Sequence, residues 1–172
     1  METLKNGRVK NEDDKIEYYI VEFSFDKDSF FAFWYSDETD KFYTNKNKIV
    51  ILRDYEEMLQ YAEENSMLLS NEHTVIECEY ILNWKIELDI IAEDMLDFWN
   101  ISHDLAHSIG EIFIGDSSLV NNVYDKLFQS CKESMLILEK SVNVTEWNIE
   151  EKVILLKVIQ DGIRILKEGI LH

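Results

Sequence analysis

The side chains best suited to chemistry in this sequence are two histidines, two cysteines and a great many carboxylates. His103 and His107 stand four apart in SHDLAH. On a helix that spacing puts both imidazoles on one face, as two ligands of one metal ion require. The zinc-protease pattern needs Glu directly after the first His, and Asp104 stands there instead. His73 and His172 are remote in sequence, so Cys78 or Cys131 would have to supply a third ligand. The plainer expectation is that both histidines flank a buried stripe and hydrogen-bond locally. Acid–base catalysis needs two carboxyls about 5 to 9 Å apart in a cleft. With 35 Asp and Glu in the chain such pairs arise by chance, and none stands out. Serine-nucleophile motifs, phosphate-binding lysine motifs and the alternating calcium loop ending in Glu are absent. Gly7, Gly110, Gly115, Gly162 and Gly169 are too dispersed to cradle a phosphate or dinucleotide. The expectation is a protein that is not an enzyme, with no cofactor and no metal. A metal-dependent enzyme using His103 and His107 is the lesser alternative.

Charge is more informative than any motif. The chain of 172 residues carries 17 Lys and Arg against 35 Asp and Glu, a formal charge of -18. Such an excess of anions excludes nucleic acid as a direct partner and an anionic membrane as a surface. The acidity is concentrated. Between Asp54 and Asp125 lie 17 acids and a single base, Lys85, so this segment holds nearly all the net charge. Crowded carboxylates repel one another, and a basic partner would relieve that repulsion while being steered toward it. The acids expected to meet a partner are Glu56, Glu57 and Glu64 on a first helix, Glu77 and Glu79 on the exposed face of a later strand, and Glu93 and Asp97 on a long helix. Plain acidic solubility is the competing account.

The elements that must position these residues follow from periodicity. KIEYYIVE and FFAFWYS are dense in β-branched and aromatic residues and read as a hairpin, with Phe31, Phe33 and Tyr35 on one face and Ala32 and Trp34 on the other. KFYT and residues 49–52 read as a third and a fourth strand, separated by the turn NKNK. Residues 54–65 switch to helical spacing, with Tyr55, Leu59 and Ala62 along one side. TVIECEY alternates again, which predicts a strand with Cys78 inward as core filler. From about Asp89 to Gly110 the spacing of Ile91, Met95, Phe98, Leu105 and Ile109 predicts a long helix with Ser102 in its buried stripe. Its solvent stripe reads Glu93, Asp97, Asn100, Asp104, and Gly110 suits the C-cap. A further helix runs from Leu119 on the apolar side chains Val120, Val123, Leu127 and Cys131. A last one, capped by Thr145 or Asn148, carries Ile149, Val153, Leu156, Ile159, Ile163 and Leu166. Residues 1–14 are polar and expected to fray.

The layer rule then gives an α+β protein, an N-terminal antiparallel β-sheet with one helix packed on C-terminal helices. Residues 1–172 form a single domain, β-rich over 15–80 and helical over 88–171, with 46% apolar residues, enough for a real core. The opening residues lack a signal-peptide stretch and nowhere do 18 apolar residues run together, so a cytoplasmic protein with reduced thiols is expected.

MLDFWNISHDLAHSIGEIFIGD, then VYDKLF, then WNIEE before an apolar helix containing Gly162 resemble a family of bacterial immunity proteins. These accompany the toxins of contact-dependent growth inhibition and related polymorphic systems. The likeness covers Met95 to about Gly162 and rests on Phe98, Trp99, Asn100, Asp104, Tyr124, Asp125, Lys126, Leu127, Phe128, Trp147, Glu150 and Glu151. QSCKESMLILEKSVNVTE departs from it, since the family has a loop rich in Gly, Asn and Pro there. The resemblance implies a β-rich part packed on helices and a chain that binds a cognate toxin domain, commonly a nuclease with a basic surface, and inhibits it. It also implies that the matched residues hold the fold, with Asn100 and Asp104 tying their helix to its neighbours by hydrogen bonds. An acidic adaptor of unrelated biology remains the alternative partner reading.

Overall fold

The computed structural model describes residues 15–136 and 145–170. The expectation for residues 1–14 and the position of His172 lie outside them. β1 (Glu17–Ser24) and β2 (Ser29–Ser36) form the expected antiparallel hairpin, in the register Ile20 opposite Phe33 and Phe23 opposite Phe30. β3 (Asp40–Phe42) pairs with the far end of β2. The expected third and fourth strands are both split. β4 (Thr44–Asn45) and β5 (Lys48–Ile49) make a tiny ribbon of their own, and β6 (Ile51–Leu52) returns to β2. The ribbon turns through Lys46 and Asn47, both at positive φ, the backbone that a two-residue hairpin loop demands.

α1 (Tyr55–Glu64) carries the chain back across the sheet, and β7 (Leu68–Glu77) then lies parallel to β1. The sheet order is β3-β2-β1-β7, with β6 beside β2. The sheet is therefore mixed rather than wholly antiparallel. β6 is antiparallel to β2 and so runs in the direction of β1, and α1 returns the chain so that β7 starts in that same direction on the other side of β1. β7 also ends earlier than its alternation suggests. Cys78–Asn83 is α2, so Glu79 sits in a first helical turn and not on a strand. Cys78, Ile81 and Trp84 recur every third residue, and burying all three requires a helix.

Three long helices complete the chain: α3 (Ala92–Ile109), α4 (Asn121–Leu136) and α5 (Ile149–Gly169). Gly110 ends α3 in the left-handed conformation, and Asn148 with Glu151 forms a reciprocal cap on α5. The sheet is covered on both faces. Ile20, Phe31 and Phe33 pack with Met58 and Ala62 of α1. Val21, Phe23 and Ala32 face the larger core, which runs on through Phe98, Leu105, Leu127 and Leu155 to Ile170. The α+β class stands.

Three apolar stripes depart from their expected positions, and one polar stripe is partly buried. α1 buries Met58 and Ala62, leaving Tyr55 and Leu59 on the flank. Ile91 is the N-cap of α3 and half-exposed. α5 buries Leu155, Val158, Ile159, Gly162, Ile165 and Leu166, and exposes Ile149 and Val153. At the starts of α3 and α5 the apolar residues Ile91, Ile149 and Val153 reach past what covers the helix and stay wet. The polar stripe is that of α3, where Asp104 is buried rather than open to solvent. Among the described residues no helix is long and apolar enough to cross a membrane.

Candidate functional site: an acidic groove between sheet and helix

The residues that α3 turns toward the sheet define a groove of about 690 Å³. Tyr19 and Val21 of β1, Trp34 of β2 and Asp40 of β3 form one side, extended by Glu72, Thr74 and Ile76 of β7. Asp97, Asn100, Ile101, His103 and Asp104 of α3 form the other. Four carboxylates therefore line it, and neither lysine nor arginine does. Tyr19 and Trp34 meet edge to face at 5.4 Å and give the groove an aromatic wall.

Asp104 fixes the floor. Its Oδ2 accepts from Trp34 Nε1 at 2.8 Å. Ser108 Oγ donates to the Asp104 carbonyl at 2.6 Å and accepts from Phe42 N at 2.7 Å, so α3 is bolted to β2 and β3 together. Asn100 Oδ1 accepts from Tyr124 of α4 at 2.9 Å. The expectation that Asn100 and Asp104 tie α3 to its neighbours is met. Lys126 likewise joins α4 to α5, 2.6 Å from Glu151 and 5.1 Å from the centre of the Trp147 ring.

The seven acids expected to meet a partner do not form one surface. Glu56 and Glu57 stand in the first turn of α1, where they favour the helix dipole, and Glu64 accepts from Gln60 at its end. All three belong to the helix on the opposite face of the sheet from the groove. Glu79 accepts from Asn83 within α2. Glu77, Glu93 and Asp97 do come together, with Asp94 among them. Burial, then Glu93 and Glu77, push the Asp94 carboxyl above the usual range, and burial, then Glu93 and Asp94, do the same to Asp97. Asp104 is raised chiefly by burial, although Trp34 and the two nearby histidines pull it down. Asp40 and Glu72 escaped sequence reasoning because only the sheet register brings them opposite α3. Trp34 did carry a usable hint, since an indole facing a helix needs an acceptor from that helix.

These shifts fix a pH dependence. A carboxyl whose folded pKa is raised binds its proton more tightly in the folded state, so stability falls as pH rises from the ordinary carboxylate range through the folded pKa, and is level above it. Glu151 runs the other way. Burial works upward there too, but Lys126 and the Asn148 backbone hold the carboxyl below its usual value, so its contribution is lost only as pH falls through that lowered pKa. Thermal melts should give a higher Tm near pH 5 than near pH 8, as the three raised aspartates and the net charge of -18 are relieved together. Asp97→Asn should raise the Tm at neutral pH and flatten that profile.

Neither thiol is part of the groove lining. Burial, assisted by Glu77, pushes Cys78 up to about 12, and the side chain is enclosed in the core at 0% exposure, as the inward core-filling reading expects. His73 sits on β7, 3.1 Å from Glu22 and stacked on Tyr55. His103 and His107 stand beside Asp116 of the turn after α3. No protein-family model, curated protein or solved structure matches this chain.

Proposed function

We propose that this chain is an immunity protein that binds and inhibits a cationic toxin domain, of the type associated with contact-dependent growth inhibition, and that the groove beneath α3 is its docking site. The observation that carries the reading is the groove itself, with its four carboxylates, its aromatic wall and neither lysine nor arginine in its lining. A nuclease cleft is cationic because its substrate is a polyanion. An arginine or lysine from such a cleft would meet carboxylates for charge-assisted hydrogen bonds and the rings of Tyr19 and Trp34 for cation–π contact. The ridge of Glu77, Glu93 and Asp94 extends the negative field and accelerates encounter. The partner occupies the place that phosphate would take, in the cytoplasm of the producing cell, and the chain itself performs no chemistry. Of the residues of the family resemblance, Asn100, Tyr124, Lys126 and Glu151 tie helix to helix and Asp104 ties α3 to the sheet at the groove floor, which leaves partner choice to Asp40, Glu72, Asp97 and the rim.

The test is to purify the chain with the toxin domain encoded immediately upstream and to assay that toxin with and without it. Stoichiometric inhibition is expected, and undiminished toxin activity in excess of this protein would sink the reading. The double reversal Glu72→Lys with Asp97→Lys should weaken binding at least about tenfold while moving stability by no more than about 0.5 kcal/mol per site. The association rate should fall steeply between about 50 and 500 mM salt. An acidic adaptor would instead bind a basic protein and leave every toxin active.

A further inference from the structure

Sequence spacing brings His103 and His107 together, and the fold adds a third donor that spacing does not reveal. On α3 the two imidazoles lie with ring centres 4.2 Å apart. Asp116 faces both. Its Oδ1 is 2.5 Å from His103 Nδ1 and its Oδ2 is 3.7 Å from His107 Nε2. One donor atom from each residue lies within 4.8 Å of the others.

Asp116 is delivered by a braced turn. Phe113 is buried edge-on against Trp99 of α3, and the 3₁₀ turn Ile114–Asp116 follows it directly. A Cβ at Gly115 would stand 2.3 Å from Phe113 and 2.7 Å from Trp99 Nε1, so only glycine lets the turn press this closely on the helix. Asp161 of α5 accepts from Ile114 N at 2.7 Å and is itself held by Arg164 at 2.9 Å, while Arg164 also donates to the Ile112 carbonyl at 2.8 Å. Such outer support is what keeps a ligand set in place.

We propose that His103, His107 and Asp116 bind one divalent transition-metal ion of the zinc type, with the remaining coordination positions open to solvent. Two imidazoles and one carboxylate suit zinc and its neighbours, whereas calcium and magnesium prefer oxygen alone. Ligand bonds of about 2.0 to 2.2 Å in a tetrahedron set donor atoms roughly 3.3 to 3.6 Å apart, inside the 4.8 Å within which one donor atom of each residue already lies. The three side chains are 43%, 49% and 34% exposed, which leaves an ion free access. The cation would also partly neutralise an intensely acidic flank. The site shares His103 with the groove wall, but its test needs no toxin, and its third ligand is a carboxylate rather than Cys78 or Cys131.

The full chain, stripped with chelator, is titrated with Zn²⁺ alone in a calorimeter, and with Co²⁺ followed by visible absorption. One ion per chain is expected, with a cobalt spectrum of four-coordinate type lacking thiolate charge transfer. His107→Gln and Asp116→Asn should each weaken binding at least about tenfold with unchanged circular dichroism, and Cys131→Ser should leave it unaltered. No binding up to about 100 μM Zn²⁺, or an affinity that neither ligand variant changes, would overturn the site.

Discussion

Gly162→Leu should leave the protein unfolded, or nearly so, at room temperature. α5 crosses α3 at Gly162, where a single added Cβ would stand 2.6 Å from Ser102 Oγ and 2.7 Å from a ring carbon of Phe98. Neither neighbour can yield. Phe98 is 1% exposed, and Ser102 is fully buried with its hydroxyl donating to the Phe98 carbonyl at 2.7 Å. Leucine needs the volume of several methylenes there, so the two helices must separate. Overpacking costs about 1 to 3 kcal/mol for modest insertions and more for a whole side chain, a large share of a typical total of about 5 to 15 kcal/mol. Gly162→Ala makes the comparison informative, because alanine recovers about 1 kcal/mol of helix propensity while still meeting the clash. Urea melts should rank wild type above alanine and alanine far above leucine. A leucine variant as stable as wild type would mean that the two helices do not touch at this point.

Trp34→Phe should cost about 2 to 3 kcal/mol, most of it charged to a residue 70 positions away. The indole N–H is the donor that satisfies the buried Asp104 carboxylate, and phenylalanine removes it while keeping much of the ring. Asp104→Asn should behave in the opposite way. It keeps an acceptor for the indole and discards a charge that burial disfavours, so its Tm at neutral pH should equal or exceed that of wild type. In the Asn background the cost of Trp34→Phe should fall to about 1 kcal/mol, the worth of a neutral hydrogen bond. Equal costs in the two backgrounds would show that the tryptophan contributes through packing alone. Asp104→Ala is the informative failure, since it strands the indole N–H and opens space beside Ser108.

Residues with a strong local pattern were legible in advance. The β1–β2 hairpin, the NKNK turn and the C-cap at Gly110 each depend on a few adjacent side chains and are found where the sequence puts them, and of the two caps offered for α5, Thr145 and Asn148, the structure uses Asn148. Legibility failed where a long-range partner decided the outcome. The parallel neighbour of β1 was invisible because crossover direction is a property of the sheet and not of either strand. Asp104 belonged by spacing to a wet stripe, and only Trp34 on another element turned it into a buried acceptor. Glu79 was misplaced because alternation continues by accident past Glu77 while the burial of Cys78, Ile81 and Trp84 follows a helix. The candidate acids split for the same reason. Charge density along the chain says nothing about which side of a sheet a helix will cover. Asp116 was missed because the turn that delivers it rests on Gly115, Asp161 and Arg164 from two separate segments.

The parallel register of β1 with residues 68–77 bears on how the molecule is made. As the ribosome extrudes the chain, the hairpin emerges first and can close at once. Its two greasy surfaces then wait: one for Met58 and Ala62, the other for Phe98 and Leu105, and last of all for Leu155 and Ile165 near the far end. Throughout that interval the nascent sheet is a sticky intermediate with an unfilled edge. Chains halted before α5 should be prime clients for holding chaperones, and newly made copies should acquire their mature shape only once the closing helix has cleared the exit tunnel.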